Sequence, residues 1–410
     1  MRYGCIGRKL THSFSREIHA ELFDYEYELR ELEPEEIGAF LTAREFQAIN
    51  VTIPYKQTVM PYLDEISDTA RRIGAVNTIV CREGKLHGYN TDYTGMRAML
   101  ARAGISLRGK KVLIAGSGGT SKTAAAVAAD LGAAEIFRLS RDGKDGCITY
   151  ETARREHADA EALINTTPLG MYPSLGGKAV DLDDFPRLAG VADAVYNPLC
   201  PALVVEALSR GIRACGGLYM LVAQAAAAAE KFTGETVEEK TVDKVYRKLF
   251  RRKQNIVLVG MPGSGKSTVG RLIARKLDRP FIDTDEMIAE RYGDIPALFE
   301  KEGESAFRDK ESGVIREIAA AQGAVIATGG GAVLRPENIE NLRQNGVIYY
   351  IDRPLSDILP TEDRPLSRDR AALEKRYAER RPLYLAAGRR IAAGDGAAFV
   401  ADKIVKEFLK

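Results

Sequence analysis

Asn255-Ile-Val-Leu-Val-Gly-Met-Pro-Gly-Ser-Gly-Lys-Ser-Thr268 is the stretch from which the fold can be read. The apolar run Ile256 to Val259 predicts a buried strand, and Gly260, Gly263, Ser264, Gly265, Lys266, Ser267 and Thr268 then complete a phosphate-binding loop at the start of a helix. Glycines let the backbone curl until several N–H groups converge on one anion, and the helix N-terminus adds partial positive charge. Lys266 supplies a cation for the outer phosphates, and the Ser267 hydroxyl is of the kind that ligates Mg2+. A second strand pattern, Pro280-Phe-Ile-Asp-Thr-Asp285, ends in two aspartates; alternation along a strand predicts both carboxylates on one face beside the phosphates.

Some 250 residues precede this loop, and with 410 residues in all the chain exceeds what one hydrophobic core serves. A hydrophobic fraction of 45% with 28% charged residues is ordinary for a globular protein, and a net charge of +2 without a long basic block argues against nucleic acid as a partner. The N-terminus lacks the apolar core of a signal peptide, and the most apolar stretch, Leu218 to Ala229, contains Gln224 and is too short to span a bilayer. Cys5, Cys81, Cys147, Cys200 and Cys215 are scattered without a C-x-x-C pair, which favours a reduced, cytoplasmic protein. The four histidines show no metal-ligand spacing. Nothing here sets the oligomeric state.

Short apolar runs at Tyr3–Ile6, Tyr25–Leu29, Ala48–Ile53 and Thr78–Cys81 predict strands, with helices over Ser15–Phe23 and Glu33–Leu41 between them. From Lys111 a strand, the glycine turn Gly116-Ser-Gly-Gly-Thr-Ser121, a helix over Lys122–Leu131 and a strand over Glu135–Leu139 make a βαβ unit. Further strands are expected at Ala162–Asn165 and Val191–Tyr196. Gly116, Ser117, Gly118, Gly119 and Thr120 form a dinucleotide turn, with Ser121 where the strict pattern has Gly or Ala. The next strand ends in Leu139-Ser-Arg-Asp-Gly-Lys144; Ser140, Arg141 and Lys144 suit the 2′-phosphate of NADP, with Asp142 as the ambiguous neighbour. A solvated basic loop is the plainer alternative. Val237–Phe250 has helical spacing and a basic end, followed by a short linker.

Read together, the first 250 residues resemble shikimate dehydrogenase. His12-Ser-Phe-Ser15, Asn50-Val-Thr-Ile-Pro-Tyr-Lys56, Gly74-Ala-Val-Asn-Thr78 and Gly88-Tyr-Asn-Thr-Asp92 carry the likeness, as do Asn165-Thr-Thr-Pro-Leu-Gly-Met171, Tyr196-Asn-Pro-Leu199 and Gly216-Gly-Leu-Tyr-Met-Leu-Val-Ala-Gln-Ala225. Arg16 departs from the family's usual proline. The resemblance implies Lys56 and Asp92 as the catalytic pair. It implies Ser13, Ser15, Thr52, Asn77, Tyr196 and Gln224 around the substrate, with Gly217 near the cofactor. Asn90 either joins them or satisfies turn backbone. Reduction of a ketone needs a hydride donor, a proton donor at the oxygen and a group to orient that donor, and Lys56 with Asp92 meets the last two needs.

Residues 254–410 resemble shikimate kinase, through the Asp-x-Asp pair, Phe307-Arg308, Thr328-Gly-Gly-Gly331, Arg364-Pro-Leu366 and Glu379-Arg-Arg-Pro-Leu-Tyr384. That likeness implies Asp285 as acceptor of the ring hydroxyl proton, Asp283 and Ser267 at magnesium, and Arg308, Gly329, Gly330, Gly331 and Arg380 about the substrate. Phe299 and Phe307 would lie against its ring, and Arg364, with Lys266, would meet the transferring phosphoryl. Phe299, Gly303, Phe307, Arg308 and Glu311 follow helical spacing, with Glu311 an ion-pair partner for Arg308. The segment Asp357 to Arg364 is shorter than the family's lid and carries Pro360 where many members have arginine, so the adenine side of ATP is the part least covered by the likeness.

The expected architecture is α/β throughout. A two-lobed dehydrogenase module spans 1–252, its substrate lobe 1–94 plus 216–252 and its Rossmann-type NADP lobe 95–215. A P-loop kinase module of nucleoside-monophosphate-kinase type spans 253–410. The expected activities are NADPH-dependent reduction of 3-dehydroshikimate and ATP-dependent phosphorylation of shikimate, steps of aromatic amino-acid biosynthesis, with small-molecule partners and no membrane. Two other readings remain open at this point: a metabolite sensor built from retired enzymes, and a quinate dehydrogenase using NAD joined to a kinase for another polyol. Retention of Lys56, Asp92, Lys266, Asp283, Asp285 and Arg308 speaks against the sensor.

Overall fold

The computed structural model describes residues 2–10, 14–358, 370–394 and 396–410. Two compact units divide the chain: one holds Met1–Asn197 and Glu206–Leu249, the other Pro198–Val205 and Phe250–Lys410.

The first unit contains two sheets. One is mixed, with strands β1 (Tyr3–Gly7), β2 (Tyr27–Glu31), β3 (Ala48–Val51), β4 (Glu65–Ile66), β5 (Thr78–Arg82) and β6 (Lys85–Tyr89) in the order β2-β1-β3-β5-β6-β4. β1 pairs in parallel with both β2 and β3, and β5 runs antiparallel to β3 and β6. Glu83 and Gly84, at φ 51° and 75°, make the two-residue turn that joins β5 to β6; left-handed backbone at both positions matches the twist of a hairpin.

The strand expected to reach Ile53 stops at Val51, because Tyr55 N–H donates to Thr52 O and curls the chain toward Lys56. β2 begins at Tyr27, two residues later than the apolar pattern implied.

The second sheet is parallel throughout: β7 (Lys111–Ala115), β8 (Glu135–Ser140), β9 (Ile148–Thr149), β10 (Ala162–Asn165), β11 (Gly190–Asp193) and β12 (Arg213–Cys215), ordered β12-β11-β10-β7-β8-β9. The chain reverses direction across the sheet between β7 and β10, and the crevice outside the C-terminal ends of these two strands is where doubly wound folds take ligands. The glycine turn follows β7 into this crevice, and the helix after it starts at Gly119 rather than Lys122. β11 ends at Asp193 instead of running to Tyr196, since the Asp193 carboxylate accepts Val195 N–H and closes a turn.

The second unit is built on one parallel sheet of β13 (Asn255–Val259), β14 (Phe281–Asp283), β15 (Val325–Ala327), β16 (Gly346–Asp352) and β17 (Arg389–Ala392), in the order β14-β15-β13-β16-β17. Both faces of β13 are covered: Val257 and Val259 join one apolar cluster and Ile256 and Leu258 another. That explains the unbroken apolar run in its sequence. The Glu239–Lys253 helix leaves only Gln254 before β13, so the boundary expected at 252 falls inside its last turn.

Candidate active sites

In the first unit, Lys56 follows the turn after β3, and Asp92 opens the Asp92–Arg102 helix after β6. Lys56 Nζ donates to Asp92 Oδ2 at 2.5 Å, with the two side chains only 15% and 9% exposed. Asn77 Nδ2 donates to the other carboxylate oxygen at 2.9 Å, and Asn77 Oδ1 accepts Thr91 N–H at 2.7 Å. Gln224 Oε1 lies 3.4 Å from Asn77 Nδ2 and 3.3 Å from Thr91 Oγ1, which brings the Leu218–Thr233 helix to the same place. Gly95 lets the two helices approach this closely: a Cβ there would stand 2.5 Å from Met220 O.

The cofactor crevice adjoins this pair. A Cβ on Gly119 would lie 4.0 Å from Lys56 Cδ, so the start of the Gly119–Asp130 helix faces Lys56. Gly116, at φ 116°, faces Thr166 Oγ1, which donates to Ala115 O at 2.6 Å. Ser117 and Gly118 are exposed and Thr120 half-buried at the helix start. A side chain on Gly217 would overlap Ala194 O, which accounts for the glycine before the closing helix.

At the end of β8, Ser140 Oγ donates to Asp142 Oδ1 at 3.0 Å and accepts Gly143 N–H at 2.9 Å. The Lys144 N–H holds the Asp142 carboxyl below its usual range. Arg141 and Lys144 are exposed, and Lys144 Nζ is 3.7 Å from Asp142 Oδ2. Asp142 therefore engages this loop's own backbone and hydroxyl, and Arg141 is left facing solvent.

Of the remaining residues expected here, Ser15 opens the Ser15–Leu22 helix, Thr52 is half-buried after β3, and the Tyr196 ring packs on Phe14 at 5.2 Å between centroids. Asn90 Nδ2 donates to Ala75 O and its Oδ1 accepts Tyr93 N–H, which places it in backbone support. Ser13 lies outside the described residues.

In the second unit, Gly265 adopts a left-handed conformation and the helix begins at Lys266, as a phosphate loop requires. Lys266 Nζ donates to Gly260 O and Met261 O at 3.0 Å each, and a Cβ on Gly260 would meet Ile351 O at 2.8 Å and Ser264 Oγ at 2.9 Å. Gly263 has φ 79°, and Thr268 is exposed in the helix's first turn. Ser267 Oγ donates to Asp283 Oδ2 at 2.6 Å.

The two aspartates do not share a strand. β14 ends at Asp283, whose Oδ1 caps the next helix by accepting Asp285 N–H at 3.0 Å, so Asp285 sits in that helix's first turn. N-capping by aspartate overrides strand alternation here.

Asp285, Glu311, Arg308 and the triple glycine converge. A Cβ on Gly329 would stand 2.6 Å from both Asp285 Oδ1 and Glu311 Oε1, one on Gly330 would meet Pro262, and one on Gly331 would overlap the Arg308 guanidinium. Arg308 donates to Glu311 at 2.7 Å and to Glu304 at 3.1 Å. Gly330 O accepts from Arg380 Nη1 at 3.1 Å and Tyr384 O–H at 2.5 Å. Burial pushes the Asp285 carboxyl up to about 6, with Asp283 and Glu311 adding to the rise against Lys266 and Arg308. Phe299 and Phe307 rings lie 4.5 Å apart beside Arg308. The helical spacing from Phe299 to Glu311 is interrupted: Gly303, at φ 82° and ψ 170°, divides two helices, and Phe299 reaches Phe307 across that break. Arg364 lies outside the described residues.

Sequence reasoning missed Tyr27, Asn50, Thr78 and Thr91 behind Asn77, and Thr284 and Tyr384 around the triple glycine. Asn50, Thr78, Thr91, Thr284 and Tyr384 stand inside the motifs quoted above, so the signal was present for them; Tyr27 has none.

A family model for the shikimate dehydrogenase substrate binding domain matches residues 5–79, and a shikimate kinase model matches residues 262–410. Shikimate dehydrogenase (NADP(+)) of Clostridium beijerinckii is 38% identical over 259 residues, covering 60% of this chain and 96% of that protein. Among solved structures, shikimate dehydrogenase 1 of Peptoclostridium difficile is 36% identical with a TM-score of 0.57, over 61% of this chain and 98% of that one. The Thermus thermophilus shikimate 5-dehydrogenase, in complex with NADP(H) and shikimate, is 29% identical with a TM-score of 0.55, over 60% and 99%.

Proposed function

The chain belongs to the shikimate dehydrogenase family and carries a shikimate kinase domain after it, and from that premise we propose how its own residues run two successive steps. The first reduces 3-dehydroshikimate to shikimate with NADPH; the second moves the terminal phosphoryl of ATP to the shikimate 3-hydroxyl. The observation that carries this reading is that each unit holds a closed constellation of its own. Lys56 and Asp92 stand 2.5 Å apart beside the dinucleotide helix, and Asp285, Glu311 and Arg308 ring the triple glycine.

When bound in the crevice beside Gly116 to Thr120, NADPH would supply the hydride for the ketone carbon. Lys56 delivers the proton that the reduced oxygen takes up, and returns to its ammonium form from solvent. Asp92 holds the Lys56 ammonium in place, and Asn77 holds Asp92. Ser13, Ser15, Thr52, Tyr196 and Gln224 are assigned to the substrate's carboxylate and hydroxyls. Arg141, followed by Lys144, is assigned to the 2′-phosphate.

In the kinase, Asp285 accepts the proton of the attacking hydroxyl, a role suited to a carboxyl whose affinity for protons is raised by burial. Arg308 is held by Glu311 and Glu304, and Arg380 by Gly330 O; their remaining donors are assigned to the substrate carboxylate. Lys266 balances charge on the nucleotide phosphates, and Arg364 that on the transferring group. The Ser267 hydroxyl and Asp283 carboxylate are hard oxygen donors that fit a magnesium ion, which would supply further charge neutralisation. A magnesium site takes only one or two protein ligands beside phosphates and water, so it needs no larger cluster. Among the described residues no helix is long and apolar enough to cross a membrane.

The test is a coupled assay with 3-dehydroshikimate, NADPH and Mg-ATP, identifying products by mass. Shikimate 3-phosphate formed only when both cofactors are present supports the reading. Turnover of quinate with NAD but not of 3-dehydroshikimate with NADPH would overturn the first half, and no phosphorylated product from added shikimate the second.

A further inference from the structure

Behind the Lys56–Asp92 pair a chain of hydrogen bonds runs back into the substrate lobe as far as Tyr27 on β2. The Tyr27 O–H donates to Asn50 Oδ1 at 2.7 Å. Asn50 Nδ2 then donates to Thr78 Oγ1 at 3.1 Å and to Asn77 O at 3.3 Å. The Thr78 hydroxyl lies 3.1 Å from Asn77 Oδ1 and 3.2 Å from Thr91 Oγ1, and Asn77 Nδ2 closes the series on Asp92 Oδ1 at 2.9 Å. Tyr27, Asn50, Thr78, Asn77, Thr91 and Asp92 are all buried.

The direction of the series follows from donor chemistry. An amide NH2 cannot accept, so its contact with the carbonyl of Asn77 turns Asn50 Oδ1 toward Tyr27, and the phenol must be the donor there. Thr78, already accepting from Asn50, has one proton to give forward. Thr91 N–H fixes Asn77 in the same sense, with its NH2 toward Asp92. In a buried site of low dielectric, such donors polarise one another and strengthen the last bond.

We propose that Tyr27 is a positioning residue for the reduction, heading a one-way donor chain through Asn50, Thr78 and Asn77 that keeps Asp92 aimed at Lys56. This rests on reading Asp92 as the partner of the catalytic lysine. Among the described residues, the charged group bonded to Asp92 is Lys56, and its other contact is the Asn77 amide, with the neutral Thr91 and Gln224 adjoining. The titratable groups around Tyr27 stay neutral at working pH. Burial pushes the Cys5 thiol up to about 12, and it pushes His19, stacked on Tyr27 at 4.0 Å, down to about 3. A change in the pH profile on altering Tyr27 is therefore read at the Lys56–Asp92 pair.

The experiment uses the full chain with Tyr27→Phe, Thr78→Val and both together, measuring kcat and KM for 3-dehydroshikimate from pH 5 to 9. NADPH binding checks that each variant is folded, and Asp92→Asn is run alongside. Both variants leave the Asn77 bond to Asp92 in place but remove the donors that strengthen it from behind, and a weaker bond to the charged carboxylate should move the acid limb of kcat to higher pH. At pH 7 kcat should fall about three- to tenfold while KM stays within about twofold, a split expected of a group acting on the transition state alone. The double variant should move no further than the larger single one, because both cut the same chain. Superimposable profiles, or shifts that add, overturn the proposal. Should Tyr27→Phe not fold, Thr78→Val reads the same chain by the same shift. If Asp92→Asn itself stays active, the catalytic reading fails; if only Asp92→Asn responds, the inference about Tyr27 fails by itself.

Discussion

Replacing Asp285 with Asn should stabilise the kinase unit while stopping its chemistry. Burial lifts the Asp285 carboxyl from 3.8 to about 6. With the folded value above the unfolded one, the native state holds the extra proton between them, so stability falls as pH rises from about 4 to about 6 and stays lower above that. Two pH units at about 1.4 kcal/mol each set the cost of the ionised carboxylate at about 3 kcal/mol near neutrality. Asparagine keeps the shape without the charge, so the variant avoids that cost; the gain shrinks to about 1.5 kcal/mol at pH 5 and nearly vanishes below pH 4. The chain has no tryptophan to report on this unit, so the assay is amide hydrogen exchange by mass spectrometry on peptides covering β13 and β15. It is run in EDTA without nucleotide, comparing variant with wild type at each pH. At pH 8 exchange in the variant should slow by up to about a hundredfold, with a smaller difference at pH 5. Equal or faster exchange at pH 8 would show that Lys266 and Arg308 more than offset burial, and the argument from desolvation would be wrong.

Lys56→Ala should lower NADPH-dependent reduction by about 10²–10⁴ while shikimate phosphorylation holds within about twofold, both read from one preparation. A dehydrogenase that keeps near-normal turnover would remove Lys56 from the mechanism. Arg141→Ala should weaken NADPH by about 1.5–3 kcal/mol and leave NADH nearly unchanged in titration calorimetry, since only the former carries the 2′-phosphate. An equal response to both would return Arg141 to the role of a solvated residue and point to Lys144. Gly331→Ala should raise the kinase KM for shikimate at least tenfold without changing ATP affinity, because the new methyl overlaps the Arg308 guanidinium. Unchanged shikimate binding would mean that Arg308 has room to move aside.

The sheets built from βα repeats were legible because their strands are short apolar runs bounded by glycine turns: β7 and β10 have the limits that the pattern implies, and β13 differs by one residue. The hairpin strand β6 was not, since Lys85-Leu-His-Gly-Tyr89 is half polar and its turn, Glu83-Gly84, lacks the Asn or Asp that signals such turns. Where strand limits failed, at Thr52, Asp193 and Asp283, a side chain or carbonyl captured a backbone N–H two or three residues on, a local competition invisible to periodicity. The sites divide along the same line. Lys56, Asp92, Lys266 and Asp285, the groups proposed to react, are read from contiguous motifs, because the loop that carries such a group also shapes the backbone around it. The groups that aim them come from afar: Gln224 reaches Asn77 from 147 residues away, and Tyr384 reaches Gly330 from 54. Each stands in a motif of its own, but no spacing connects that motif to the residue it reaches. A catalytic group must be chemically unusual to react, whereas a supporting group need only be buried and correctly directed. A supporting group that stands outside every motif therefore becomes visible only once the fold has placed it, and Tyr27 is such a group.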